Sequence, residues 1–269
     1  MQTNKACLWY RKLGLYLRAA YETKSINWRG LPLIPKGISH QLPYNRTAYN
    51  EFLIWIRRSL QLCEAKIVFD IGANHGVFAQ AASACFPSAN VFLFEPLPRL
   101  GPILESKAAH YCNHWHFYPI GLGAVAGRLP LHVDLQNDAI GSFAGFSKPY
   151  AQLAGVREAT TVDVSVDTLD NFCKQEGIEH IDLLKIDVEG FEFAVLDGAS
   201  QMLRSITAII IETSLVRTAN GNPGPFLEMI NRLSQQGFYI VALFPSFVQD
   251  AHEQWPPYEY NILARRFAV

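Results

Sequence analysis

The sequence predicts an α/β protein built on a doubly wound, mainly parallel sheet with helices packed on both faces. Three observations carry that expectation. Short apolar runs alternate with helical segments from residue 66 to residue 244, the pattern of parallel βαβ units. A glycine turn, "DIGANHG" (70–76), leaves the first of these runs and opens a helix. Further on, "LLKIDVEGFEFAVLDGA" (183–199) is an apolar run that carries Lys185, Asp187, Glu189 and Glu192. A strand buried on both faces tolerates such charge only where it meets a cleft.

In chain order, "MQTNKACLWYRKLGLYLRAAYE" (1–22) is mildly basic and amphipathic. Arg11, Lys12 and Arg18 interrupt the apolar core that a signal peptide needs, so it reads as a packing helix or the element on which a homodimer would form, with contact to a membrane surface the lesser alternative. Residues 28–43 hold three prolines and two glycines and form an irregular connector. This divides the chain into an N-terminal helical extension and connector, 1–46, and a main domain, 47–269. The main domain starts with a helix over 47–62. Strands follow at 66–73, 90–96 and 115–123, with helices at 76–86 and 99–111 between them. Residues 127–136 and 159–169 are strands flanking a loop, 137–158. A fully buried strand at 181–187 leads into a helix over 190–203. Then come a strand at 206–213, a helix at 225–236, and strands at 237–244 and 259–267.

The 269 residues are 49% hydrophobic and 17% charged, with a formal net charge of −1. No long-range field draws such a chain to nucleic acid or to an acidic membrane. The five cysteines are scattered and form no C-x-x-C pair, which predicts a reducing, cytoplasmic setting without structural zinc. No apolar stretch reaches the ~18 residues of a membrane-spanning helix.

The glycine turn and the acid beyond it point to a nucleotide. Gly72 permits a tight turn, Asn74 tolerates a left-handed conformation, and Gly76 lets the helix begin close to a ligand. Glu95 ends the next strand in "FLFEP", where an acid suits the two hydroxyls of a ribose. A nicotinamide-dependent oxidoreductase is the rival reading, but its G-x-G-x-x-G fingerprint is replaced by Gly72-x-x-x-Gly76. Asp70 precedes the first glycine, an arrangement suited to a nucleoside with a cationic amino-acid tail, as in S-adenosylmethionine.

Taken together, "DIGANHG", "FLFEPLP", "VDTLDNF", "LLKIDVEGFEFAVLDGA" and "IIIET" (209–213) resemble the FkbM family of S-adenosylmethionine-dependent methyltransferases over residues 66–215. The resemblance implies a class I methyltransferase, Rossmann-like fold: a doubly wound seven-stranded sheet whose last strand runs antiparallel. It implies S-adenosylmethionine as cofactor and, most often, O-methylation of a sugar, glycan or secondary metabolite; N-methylation is less common. By the same resemblance Asp70, Gly72 and Asn74 line the methionine end of the cofactor, Glu95 takes the ribose, Gly121 and Leu122 in "IGLG" lie near the adenine, Ser142 lies near cofactor or substrate, and Asp187 is also a candidate cofactor-binding residue.

Lys185 and Asp187 lie two apart and share one side of their strand. Asp187 is the first candidate for the base that takes the acceptor's proton. Lys185 either holds Asp187 ionised or acts itself if desolvation lowers its pKa. Glu189 and Glu212 orient the acceptor, or join Asp187 around a divalent metal, which the pattern does not require. His75 is a second-choice base, with a surface hydrogen-bonding role the plainer reading, and Glu192 reads as a helix-start acid. Phe143, Phe146, Tyr150, Trp255, Tyr258 and Tyr260 sit in two loops that either form an acceptor pocket or pack those loops down. A non-catalytic cofactor-binding subunit is the remaining alternative. A nucleic-acid substrate is disfavoured by the lack of a basic stripe.

Overall fold

Period-two alternation in the central strands divides the hydrophobic residues between two cores, one on each face of a sheet. The computed structural model describes residues 49, 51–53, 55–57, 64–111, 114–143, 145, 156–214, 225–247 and 259–266. The expected N-terminal extension, with the homodimer reading attached to it, lies outside them. The described residues between 49 and 57 are helical, and Tyr49, Trp55 and Ile56 are buried in one of the cores.

The elements are β1 (Ile67–Ile71), α1 (Val77–Cys85), β2 (Asn90–Phe94), a 3₁₀ turn (Pro98–Leu100) running into α2 (Gly101–His110), β3 (Trp115–Tyr118), β4 (Gly121–Leu122), β5 (Gly127–Asp134), β6 (Asn137–Ser142), β7 (Ala159–Asp167), α3 (Leu169–Glu176), β8 (Ile181–Ile186), α4 (Glu192–Asp197), β9 (Ile206–Ser214), α5 (Phe226–Gln235), β10 (Phe238–Phe247) and β11 (Glu259–Arg266). Seven strands form the main sheet in the order β10-β11-β9-β8-β1-β2-β3. β1, β2, β3, β8 and β9 are parallel. The last strand, β11, slots antiparallel between β9 and β10. This is the class I methyltransferase arrangement. The strand order reverses at β1, so the crevice for a ligand lies over the carboxyl ends of β1, β2 and β8.

On β1, Val68 faces one core while Phe69 and Ile71 face the other; on β8, Leu183 opposes Leu184 and Ile186; on β9, Ile210 opposes Ile209 and Ile211. The second core includes an aromatic cluster in which Phe172 of α3 meets Phe69, Phe94 and Tyr118 edge to face, the preferred geometry for such rings.

Four features differ from the sequence expectation. The single strand expected over 115–123 is two, in different sheets, because Pro119 has no N–H for a ladder and Ile120 N–H turns back to the Tyr118 carbonyl at 2.9 Å. The expected loop 137–158 begins with β6, which pairs with β5 and completes a second sheet, β4-β7-β5-β6. Its residues, Asn-Asp-Ala-Ile-Gly-Ser, have low strand propensity and concealed it. Helix α3 was hidden by the β-branched run before it. Thr168 caps it by accepting the Asn171 N–H at 3.0 Å, and Gly177 ends it at φ +67°. The helix expected over 190–203 is α4 followed by a separate 3₁₀ turn, Met202–Ser205.

Candidate active site

The parallel register stacks the charged residues in two rungs on one face of the sheet. Asp70 of β1 is paired with Lys185 of β8, and Lys185 with Ile210 of β9. Two residues further along, at the strand tips, the same face carries Glu95, Gly72, Asp187 and Glu212, from β2, β1, β8 and β9. A side-chain period of two is what turns sequence spacing into this layering.

The lower rung is buried. Asp70 has no exposed area and Lys185 is 3% exposed. The Lys185 ammonium stands 3.2 Å from Asp70 Oδ1 and 3.4 Å from Asp187 Oδ2, and donates to the Gly72 carbonyl at 2.6 Å. Among the described residues, no hydrogen bond of good geometry reaches either Asp70 oxygen. Burial alone would lower the Lys185 pKa, but Asp187, Asp70 and Glu212 outweigh it and hold the pKa above its ordinary value. Of the two roles the sequence leaves open for Lys185, this favours the one in which its positive charge stands beside Asp187, and it ties the rungs together. Asp70 is fully buried with Lys185 beside it and does not line the cleft.

Gly72, Glu95 and Asp187 of the upper rung line the cleft together with Asn74, His75, Gly121, Leu122, Phe143, Val188 and Glu189, among others, while Glu212 is not part of the lining. At Gly72, with φ +75°, a Cβ would stand 1.8 Å from the Asp187 carbonyl oxygen. Glycine there lets the β1 and β8 tips touch, an approach secured by the Asp187 N–H donating to the Ile71 carbonyl at 3.1 Å. Asn74 is left-handed at φ +46°. Glu95 accepts the Asn74 N–H at 2.8 Å through one oxygen and the Leu97 N–H at 2.9 Å through the other. Burial pushes its carboxyl pKa up, against these two N–H groups, which lower it.

The other expected site residues take definite places. Gly121 and Leu122 line the cleft. Gly76 is the left-handed residue at the start of α1, behind the lining. Ser142 is also behind it, 2% exposed, and its hydroxyl donates to the Glu189 carbonyl at 2.6 Å, so it faces the turn rather than the cleft. Glu212 is 8% exposed, and one oxygen from each of Asp187, Glu189 and Glu212 lies within 4.8 Å of the others. Three such carboxylates can hold a divalent cation. His75 lines the cleft, and its carbonyl accepts from Lys107 Nζ at 2.7 Å. Of the loop aromatics, Phe143 reaches the cleft and Tyr260 packs near Phe226 instead; Phe146, Tyr150, Trp255 and Tyr258 lie outside the described residues. Phe52, Phe78, Leu131 and Val188 also line the cleft. The sequence marked them only as apolar positions in ordinary elements.

Glu192 stands in the first turn of α4, as the sequence predicts. It is 8% exposed, and burial raises its carboxyl pKa to about 7, against hydrogen bonds from Gly190 and Val188, with nearby Asp187 raising it further. The raised value favours folding fully below the carboxyl's unfolded pKa of about 4.5, and that contribution is lost as pH rises through about 7. Glu192→Gln is therefore expected to melt higher than the parent at pH 8, and level with it near pH 4, in thermal unfolding monitored by circular dichroism.

The cleft suits S-adenosylmethionine by the chemistry of its donors. It has an acid at the β2 tip, a glycine turn without the pyrophosphate fingerprint, and a buried wall at Gly121 and Leu122. Residues 70–240 match the family model for the methyltransferase FkbM domain. The chain is 26% identical over 189 residues to the 2-O-methyltransferase NoeI of Sinorhizobium fredii, covering 68% of this chain and 76% of that one. It is 28% identical over 211 residues to the 31-O-demethyl-FK506 methyltransferase FkbM of Streptomyces tacrolimicus, covering 70% and 78%. A solved structure of an FkbM methyltransferase from Methylobacillus flagellatus superposes with a TM-score of 0.49 at 15% identity, covering 80% of this chain and 50% of that one. The chain belongs to the FkbM family and is an S-adenosylmethionine-dependent methyltransferase.

Proposed function

We propose that the enzyme methylates a hydroxyl of a sugar, glycan or secondary metabolite, with Asp187 as the base. The observation that carries this reading is the position of Asp187. Its carboxylate is at the strand tip over the switch in strand order, partly open to the cleft, with Glu189 and Glu212 beside it. The names of the two relatives, both O-methyltransferases, support an oxygen acceptor. The near-neutral net charge supports a small molecule or glycan over nucleic acid. The free thiols of Cys85 and Cys173 suit a cytoplasmic setting, and among the described residues no helix is long and apolar enough to cross a membrane.

Bound S-adenosylmethionine supplies an electrophilic methyl group on a sulfonium. The chain's part is alignment and proton transfer. Glu95 is placed to hold the ribose, Gly121 and Leu122 to border the adenine, and Gly72 and Asn74 to leave room for the amino-acid end. An alcohol attacks well only as its proton leaves, and Asp187 accepts that proton. Glu189 and Glu212 orient the acceptor, since alignment supplies much of the acceleration in such a displacement. Lys185 already brings a buried positive charge to Asp187, so we read the site as working without a metal ion.

Calorimetric titration with S-adenosylhomocysteine and with NAD tests the cofactor, and methyl transfer to a glycan panel, with and without a chelator, tests the reaction. Binding of the first ligand alone is expected, weakened at least about tenfold by Glu95→Ala through loss of a charged hydrogen-bonding partner. Asp187→Asn is expected to retain binding and to lower turnover by about 10² to 10⁴. Unchanged turnover would remove Asp187 from its role.

A further inference from the structure

The turn that carries the catalytic acids runs from Asp187 to Gly190 and is held in an unusual conformation. Glu189 is left-handed at φ +54° and Gly190 follows at φ +95°. A non-glycine residue in this region is strained and persists only where its surroundings enforce it. Two buried groups surround it. Glu192, the first residue of α4, turns its carboxylate back so that Oε1 accepts the Val188 N–H at 3.2 Å and the Gly190 N–H at 3.0 Å. These are the two amides that flank Glu189. From the other side, Ser142 at the end of β6 donates to the Glu189 carbonyl at 2.6 Å. The next residues along each chain also meet, with the Phe143 and Phe191 rings 4.8 Å apart. Gly121 and Gly123 leave room for this contact, since a Cβ on the first would stand 2.8 Å from the Phe143 ring and on the second 2.7 Å from the Phe191 ring.

We propose that Glu192 and Ser142 are positioning residues that clamp Glu189 in its left-handed turn, and so set where the Asp187 and Glu189 carboxylates stand in the cleft. The small β4-β7-β5-β6 sheet thereby becomes part of the active-site scaffold, since it supplies Ser142 from β6. Neither clamp residue lines the cleft, and neither touches the reacting atoms. The catalytic meaning of the clamp rests on the reading of Asp187 given above; the clamp itself does not.

Amide hydrogen exchange on the full-length protein tests it without an acceptor. Glu192→Met, of similar size but unable to accept, is expected to speed exchange of the Val188 and Gly190 amides by about tenfold or more, the scale of one lost hydrogen bond. The β8 amides should stay at their parent rates. Glu192→Gln keeps an acceptor oxygen and should restore slow exchange. Ser142→Ala should speed the same two amides, although Ser142 bonds to neither. The double variant Ser142→Ala/Glu192→Met should fall short of the sum of the singles, because both act on one turn. Turnover should fall in the same order as protection is lost. Parent-like exchange in Glu192→Met, no effect of Ser142→Ala on those amides, or strictly additive singles would overturn the clamp. If Glu192→Met fails to fold, Ser142→Ala and Glu192→Gln still decide it. If the parent binds no S-adenosylhomocysteine, the functional reading fails while the exchange data still judge the clamp.

Discussion

Lys185→Met is expected to cost about 3–5 kcal/mol of folding stability, the range for leaving one member of a buried ion pair uncompensated. The ammonium is the cation beside Asp70, at 3.2 Å, and Asp70 has no exposed area through which water could replace it. Burial already raises the Asp70 pKa against the lowering effect of Lys185, and without Lys185 it rises further, so the carboxyl takes up a proton to remain buried. A raised carboxyl pKa favours folding at low pH and loses that contribution as pH increases. The variant should therefore lie nearer the parent at pH 5 than at pH 8 in urea unfolding. Replacing both partners, as Asp70→Leu/Lys185→Met, should recover part of the loss, because a well-packed apolar pair avoids desolvating two charges. Recovery should be incomplete, since the bond from Lys185 to the Gly72 carbonyl is lost as well. A single variant as stable as the parent at pH 8 would show that the lower rung is not an ion pair.

Gly72→Ala is expected to be the most damaging of the glycine substitutions. Two penalties coincide: φ is +75°, and the new Cβ would stand 1.8 Å from the backbone oxygen of Asp187. Backbone at that distance cannot rotate away as a side chain can, so the β1 and β8 tips must separate. Left-handed strain contributes about 1 kcal/mol and forced overpacking about 1–3 kcal/mol, for a total of about 2–4 kcal/mol. Cofactor binding should be lost with it. Gly177→Ala is the matched control. Its φ is +67°, yet no atom of the described residues lies within 4 Å of the added Cβ, so only the strain of about 1 kcal/mol applies. Thermal melts and S-adenosylhomocysteine titration of the two variants separate backbone strain from the closeness of the strand tips. Equal losses would show that the contact with Asp187 is unimportant.

The parallel sheet was legible because its strands are buried on both faces and read as unbroken apolar runs, such as 208–211 of β9. The second sheet was less so. Its strand β6 is made of small and polar residues whose pairing with β5 is set by the neighbouring chain rather than by propensity. The same division runs through the site. The spacing of Lys185, Asp187 and Glu189 announced a charged strand tip, and Gly72 and Glu95 announced a nucleoside cleft, because each type of residue is costly or unusual where it stands.

By itself the sequence determined the sheet, the cleft at its carboxyl edge and the family, since these follow from local periodicity and short motifs. Only the tertiary structure decided which acids face the cleft. Asp70 and Asp187 are equally acidic in sequence, but cross-strand register puts Lys185 over the first and leaves the second open. It also decided the work of Ser142 and Glu192, whose backbone partners include a carbonyl 47 residues away. Such contacts are set by chain packing across space, which composition and spacing do not encode locally.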